Sequence, residues 1–137
     1  MKKALLIEGL FSFNAGYVRK AFQRELEKRG FLVVSIPWTD SVKHEKIIYD
    51  LIISHSFGAG YAIKHSIKTK HLITMDARAW DFWNNSKLET YLPRHTNFYQ
   101  KLPLRGYPIR GATNIDMGFC GHTNLPSKCF DYIGDLI

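Results

Sequence analysis

The stretch Asp50-Leu51-Ile52-Ile53-Ser54-His55-Ser56-Phe57-Gly58-Ala59-Gly60 decides the fold. Its first half contains the short apolar run Leu51-Ile52-Ile53, which is typical of a strand buried on both faces of a parallel sheet. A helix is predicted to follow at residues 57–66, with no linker between the two elements. A buried strand that passes directly into a helix is the repeating unit of α/β folds.

The same alternation extends in both directions from this stretch. Strands are predicted at residues 4–7, 31–36, 50–55, 71–75, 96–100 and 112–117. Helices are predicted at 15–29, 40–49, 57–66 and 126–137, with a partly helical aromatic segment at 78–92 and a loop at 101–111. Asn14 is the expected N-cap of the helix at 15–29, and Gly30 its stop. We therefore expect one α/β domain over residues 1–137, with about six mostly parallel strands flanked by helices on both faces.

The net positive charge of the chain bears on which partners the protein could bind. The chain has 137 residues, of which 45% are hydrophobic, and a net charge of +7. An anionic partner is compatible with this charge, but solvated helix faces are the preferred explanation, and no nucleic-acid motif accompanies it. The basic residues gather in two groups: Arg19, Lys20, Arg24, Lys28 and Arg29, and Lys64, Lys68 and Lys70.

Compartment is predicted from apolar runs and cysteines. No run is long enough to cross a membrane, and Glu8 interrupts the apolar start of the chain too early for a secretion signal. A cytoplasmic location is therefore expected. Cys120 and Cys129 match no metal motif, so we expect two buried free thiols.

Ser56 is the candidate nucleophile. It lies at a strand-to-helix junction, where a sharp turn lifts a hydroxyl out of the sheet, and the strain of such a turn requires small neighbours. Ser54 and Gly58 stand two residues before and after it, and Ala59 and Gly60 follow. The arrangement resembles the Gly-x-Ser-x-Gly nucleophile elbow, with Ser54 in place of the first glycine.

A nucleophilic serine needs a base and an orienting acid, which in this kind of fold follow it in the order acid, then histidine. His122 is the last histidine, in a glycine-rich loop after the sixth predicted strand, and is the expected base. Asp76 follows the fourth strand at the sheet's carboxyl edge and is the preferred acid. Asp116, six residues before His122, remains the alternative.

Acyl transfer also needs two amide donors for the developing oxyanion. The amide of Phe57, next to the nucleophile, is one candidate. The amide of Leu10, in the loop after the first strand, is the other, with Gly9 allowing the backbone to turn toward the site.

Four segments together resemble the small lidless bacterial lipases of the α/β-hydrolase family. The resemblance rests on residues 7–10, 13–16, 54–58 and 113–122. It departs from the family pattern at three places: Glu8 replaces a histidine, Ser54 replaces a glycine, and the fifth strand ends in Gln100 without an acid. Relatives that carry the acid one strand earlier, such as pancreatic-type lipases, support Asp76. The resemblance implies an ester or thioester hydrolase that needs no metal or organic cofactor.

The expected substrate is a small-molecule or lipid-like ester. Phe11, Trp80 and Trp83 are candidate substrate-binding residues, although the two tryptophans serve equally well as a cover for the sheet. The competing hypothesis is a catalytically inactive hydrolase-like module that binds an anionic macromolecule through its basic surface. The sequence leaves the oligomeric state open.

Overall fold

The computed structural model describes residues 1–9, 15–64, 68–78, 89–90 and 92–137. Its strands are β1 (Lys2–Glu8), β2 (Phe31–Pro37), β3 (Tyr49–His55), β4 (Thr69–Met75), β5 (His95–Tyr99) and β6 (Thr113–Asp116). Its helices are α1 (Tyr17–Lys28), α2 (Phe57–Lys64) and α3 (Leu125–Gly134), together with a 3₁₀ helix at Trp38–His44. None of the helices in these ranges has the length and apolarity that crossing a membrane requires.

The six strands of the described residues form one parallel sheet in the order β2-β1-β3-β4-β5-β6. The chain leaves β1 toward β2 at one edge and then crosses back to β3 on the other side of β1. Such a reversal opens a crevice at the carboxyl ends of the two strands, which is where open α/β sheets place their sites. The predicted fold class is confirmed.

Helices cover both faces of the sheet, as the continuous apolar strands require. Leu6 and its neighbours on one face pack with residues of α1 and α3. Leu5 and Ile7 point to the other face, where they pack with Ala62 of α2. Alternate residues of β1 therefore belong to two separate cores, which fixes the register of the central strands.

Three of the predicted helices have different bounds in the structure. Helix α1 begins at Tyr17, because Gly16, and not Asn14, is its N-cap and adopts a left-handed conformation with φ 62°. The helix predicted at residues 40–49 is a 3₁₀ helix at Trp38–His44, and β3 already begins at Tyr49. The last helix ends at Gly134 instead of continuing to residue 137.

Both cysteines are free thiols, as expected. Cys129 is fully buried against the core beneath α3, whereas Cys120 is only half-buried. Burial raises the pKa of both thiols above the usual value. Neither environment favours the reactive thiolate form.

Candidate active site

Ser56 occupies a strained turn between β3 and α2. Its φ is 58°, which places a non-glycine residue in the left-handed region, and it is 7% exposed. Its amide donates to the carbonyl of Met75 at 2.9 Å, and its own carbonyl accepts the amide of Arg78 at 3.0 Å. These hydrogen bonds to residues at and just after the end of β4 hold Ser56 in its strained conformation. Strained backbone conformations of this kind cluster at functional sites.

Close packing around this turn explains the small residues of the elbow. A Cβ on Gly9 would lie 2.6 Å from Cβ of Ser56, and a Cβ on Gly58 would lie 2.7 Å from Ile7 Cγ2. Both glycines therefore allow an approach that any side chain would block. Ser54, which replaces the first glycine of the motif, is fully buried, and its hydroxyl donates to the carbonyl of Ile73 at 3.3 Å.

His122 and Asp76 meet at the carboxyl edge of the sheet. Nδ1 of His122 lies 2.9 Å from Oδ2 of Asp76, although 46 residues separate them in the chain. The Asp76 side chain is fully buried, and that of His122 is 10% exposed. Because a carboxylate only accepts hydrogen bonds, it keeps the proton of a neutral His122 on Nδ1 and leaves the lone pair on Nε2.

Four donors surround the Asp76 carboxylate. Oδ1 accepts the backbone amides of Gln100 and Gly106, both at 2.9 Å. Oδ2 accepts Nε2 of Gln100 at 2.8 Å in addition to Nδ1 of His122. Gln100, which directly follows β5, therefore supplies two of these four donors through its backbone amide and its side chain. The sequence did not predict this contact.

Asp116, the alternative acid, lies in a different environment. It is exposed, accepts the amide of Gly118 at 2.8 Å, and pairs with Lys101 at 3.1 Å. The Gly118 amide and Lys101 lower the pKa of Asp116. Its hydrogen bonds do not reach His122, so the geometry favours Asp76 as the carboxylate that orients the imidazole.

His55 also contacts His122, which the sequence did not predict. Nε2 of His55 lies 2.9 Å from the backbone carbonyl of His122, and the two ring centroids are 4.4 Å apart. The described residues show no hydrogen bond between the Ser56 hydroxyl and His122. Catalytic hydrogen bonds are often long in a free enzyme and tighten only around substrate.

The remaining predicted residues divide into two groups. Phe57 begins α2 directly after Ser56, so its amide stands at a helix N-terminus, where negative charge is stabilised. Arg78, whose amide donates to the Ser56 carbonyl, is buried, and its Nη1 donates to the carbonyl of Arg105 at 2.9 Å. The other predicted site residues, Leu10, Phe11, Trp80 and Trp83, lie outside the described residues.

Glu8, the last residue of β1, anchors α1. Its fully buried carboxylate accepts the amide of Val18 at 2.6 Å and so caps a helix whose N-cap residue supplies no side-chain bond. Burial raises the pKa of Glu8, and the amides of Val18 and Arg19 oppose that rise in part. A long-range cap of this kind satisfies an amide that the first helical turn leaves unpaired.

We expect Glu8→Gln to gain stability relative to wild type as the pH rises from about 4 to about 7. Because folding raises the pKa of Glu8, the glutamate's contribution is fully present below its ordinary pKa of 4.5 and is lost as the pH rises through the folded-state pKa. Urea titrations of both proteins across this range give the difference in the free energy of unfolding. A difference that stays constant with pH would contradict the raised pKa.

Gly106→Ala is expected to lower the free energy of unfolding by about 1–3 kcal/mol, because the new methyl group overpacks the Asp76 pocket. Its Cβ would lie 2.6 Å from Oδ1 of Asp76 and 2.8 Å from Cα of Asp76. Gly134→Ala is the matched control, since a Cβ there meets only Arg29 at 3.6 Å. Equal urea midpoints for the two variants would show that the pocket is looser than the distances indicate.

The fold is similar to that of a solved structure described as the esterase domain of a Rhodothermus marinus protein. The TM-score is 0.68 at 12% sequence identity, and the match covers 98% of this chain and 85% of that chain. A scan of protein-family models and a search of curated proteins give no match. At this level of identity the likeness shows a shared fold, so the chain has an α/β fold resembling an esterase domain.

Proposed function

We propose that the protein is a serine hydrolase that cleaves a carboxylic ester or thioester through an acyl-enzyme on Ser56. In this proposal His122 is the general base and acid, and Asp76 orients its imidazole. The observation that carries the proposal is the 2.9 Å hydrogen bond between His122 and the buried Asp76. It lies at the same edge of the sheet as Ser56, whose backbone is in the left-handed region. The likeness to an esterase domain supports the class of reaction.

The proposed reaction begins with attack of the Ser56 hydroxyl oxygen on the carbonyl carbon, while its proton passes to Nε2 of His122. The tetrahedral oxyanion accepts hydrogen bonds from the amides of Phe57 and Leu10. As the intermediate collapses, the bond to the alcohol or thiol breaks and the leaving group takes the proton from Nε2. Ser56 is then acylated.

Deacylation repeats these steps with water. Nε2 of His122 takes a proton from the attacking water, and the second tetrahedral intermediate releases the carboxylic acid as the proton returns to Ser56. Asp76 keeps its charge throughout and stabilises the imidazolium that forms twice in each cycle. This chemistry uses side chains and amides of the chain alone and requires no metal or organic cofactor.

The proposed substrate is a small-molecule or lipid-like ester. Phe11, Trp80 and Trp83 are the aromatic residues proposed to hold its acyl group, since aromatic walls with few polar groups are typical of such pockets. A series of p-nitrophenyl esters with acetyl, butyryl and octanoyl groups measures the preference directly, because only the acyl chain changes.

Labelling with a fluorophosphonate probe tests the proposal. The probe phosphonylates an activated serine, so mass spectrometry should place the adduct on Ser56, and Ser54 two residues earlier serves as an internal control. Turnover of the p-nitrophenyl esters should accompany labelling and should stop when labelling is complete. Absence of both would overturn the proposal, and salt-sensitive binding to DNA or heparin would then favour the anion-binding module.

A further inference from the structure

We infer that His55 is a positioning residue that fastens the loop at residues 117–124 to the nucleophile elbow and so sets where His122 stands relative to Ser56. The inference rests on the proposed function and assigns a role to a residue outside the triad and the oxyanion donors. His55 precedes Ser56 in the chain and ends β3. Any contact it makes with the base is therefore a link between base and nucleophile.

His55 contacts His122 in two ways at once. Its Nε2 lies 2.9 Å from the His122 carbonyl oxygen, and its ring lies 4.4 Å from the His122 ring at an interplanar angle of 33°. The same ring also lies nearly perpendicular to the ring of Tyr17 at the start of α1, with 6.3 Å between centroids. His55 is only 1% exposed, so this arrangement is enclosed by protein.

The hydrogen bond fixes the tautomer of His55. A carbonyl oxygen only accepts, so Nε2 of His55 carries the hydrogen and Nδ1 carries the lone pair. Nδ1 is buried and has no hydrogen-bond partner among the described residues. Burial, together with the neighbouring His122, lowers the pKa of His55 to about 3. His55 therefore stays neutral when His122 becomes an imidazolium and adds no opposing charge.

The other bonds that hold this loop lie toward its two ends or on the His122 side chain. Near its start, the amide of Met117 donates to the carbonyl of Tyr99 at 2.8 Å and the amide of Lys101 to that of Gly118 at 2.7 Å, while Asp76 holds the imidazole. Gly118 and Gly121 have φ of 73° and 88°, so the loop turns sharply on both sides of the residues between them. Among the described residues, the bond from His55 is the one hydrogen bond to the backbone of His122 itself. A displacement of a catalytic group by about 1 Å costs about 10²-fold in rate.

The test compares two substitutions of His55. Gln places an amide near the position of Nε2 and keeps the donor, whereas Phe keeps the ring and loses the donor. We expect His55→Phe to lower kcat for p-nitrophenyl butyrate by about 10- to 100-fold with KM unchanged, and His55→Gln to retain kcat within about 5-fold. His55→Ala also removes the donor and replaces His55→Phe if that variant does not fold.

His95 provides the matched control. It is 4% exposed, and its Nε2 lies 2.8 Å from the hydroxyl of Thr74, in a buried contact that includes no triad residue. His95→Gln and His95→Phe should lower Tm as much as the His55 variants do while leaving kcat at the wild-type value. A His55→Phe protein with wild-type kcat, or a His55→Gln protein as slow as His55→Phe, would overturn the inference.

Proton NMR separates this inference from the proposed function. The His122 Nδ1 hydrogen in the bond to Asp76 gives a downfield resonance that does not depend on turnover. We expect His55→Phe to shift or broaden it, and His55→Gln to preserve it. An unchanged resonance in His55→Phe would overturn the positioning role even in a protein without esterase activity, whereas an inactive wild type with the expected shifts would overturn the proposed function alone.

Discussion

Ser56→Ala is expected to lower kcat for p-nitrophenyl esters by about 10⁶-fold, because the acyl-enzyme cannot form without the hydroxyl and the residual rate comes from the oxyanion donors and binding alone. Alanine accepts the left-handed turn at about the same cost as serine, so the φ of 58° does not forbid it. Initial rates measured on purified protein, with fluorophosphonate labelling alongside, give the effect. Tm should remain near the wild-type value.

Ser54→Ala is the control for this variant. Ser54 is buried two residues earlier on β3, and its hydroxyl donates to the carbonyl of Ile73 at 3.3 Å. We expect its loss to reduce the free energy of unfolding by about 1 kcal/mol, the ordinary worth of a buried hydrogen bond, and to leave kcat within about 3-fold. A Ser56→Ala protein that turns over esters at the wild-type rate would refute the acyl-enzyme on Ser56.

The fold was predictable because burial on both faces leaves a clear mark in the sequence. Strands β3 and β4 contain the buried apolar runs Leu51-Ile52-Ile53 and Leu72-Ile73, and the stripe formed by Val18, Phe22 and Leu26 marks the buried side of α1. Such patterns are formed by residues close together in the sequence, so they can be recognised without the structure. The parallel order then places the ends of β3 and β4 side by side, which is why Ser56 and Asp76 were both expected at one edge.

The details that sequence did not reveal depend on contacts between distant segments. Gln100 reaches Asp76 across 24 residues, and His55 reaches the His122 carbonyl across 67. The residues next to a glutamine at a strand end, or next to a histidine before a serine, do not predict which distant residue its side chain will bind. The start of α1 differs from the prediction for the same reason, since the side chain that accepts an amide of its first turn belongs to Glu8 of β1 and not to a neighbour in the helix.

The second large loss of kcat is expected for Asp76→Asn, because of the hydrogen-bond donors that surround this side chain. The new amide group must put its NH₂ at one of the two former carboxylate oxygen positions. At the first it would meet two backbone amides, of Gln100 and Gly106, which cannot change from donor to acceptor. At the second it meets Nε2 of Gln100 and Nδ1 of His122, and the imidazole can change its tautomer. The second position is therefore favoured.

In that arrangement His122 accepts a hydrogen bond at Nδ1 and carries its hydrogen on Nε2, where the base needs a lone pair. We expect kcat to fall by about 10⁴-fold, the scale found when an orienting carboxylate becomes an amide and stabilises the wrong tautomer. The downfield Nδ1 resonance should disappear, and rates with p-nitrophenyl butyrate give the loss. The fold should persist, since asparagine has nearly the same volume and also tolerates the φ of 46° at this position.

Asp116→Asn is the matched control, with the same chemical change only six residues before His122. Its exposed carboxylate accepts the amide of Gly118 and forms an ion pair with Lys101. Because most exposed ion pairs contribute little to stability, we expect kcat within about 2-fold of wild type and little change in Tm. Loss of turnover in Asp116→Asn with Asp76→Asn unaffected would reverse the assignment of the acid. Equal losses of kcat in both variants would mean that Lys101 and Asp116 hold the loop at residues 117–124 in place. The position of His122 would then depend on that loop as much as on Asp76.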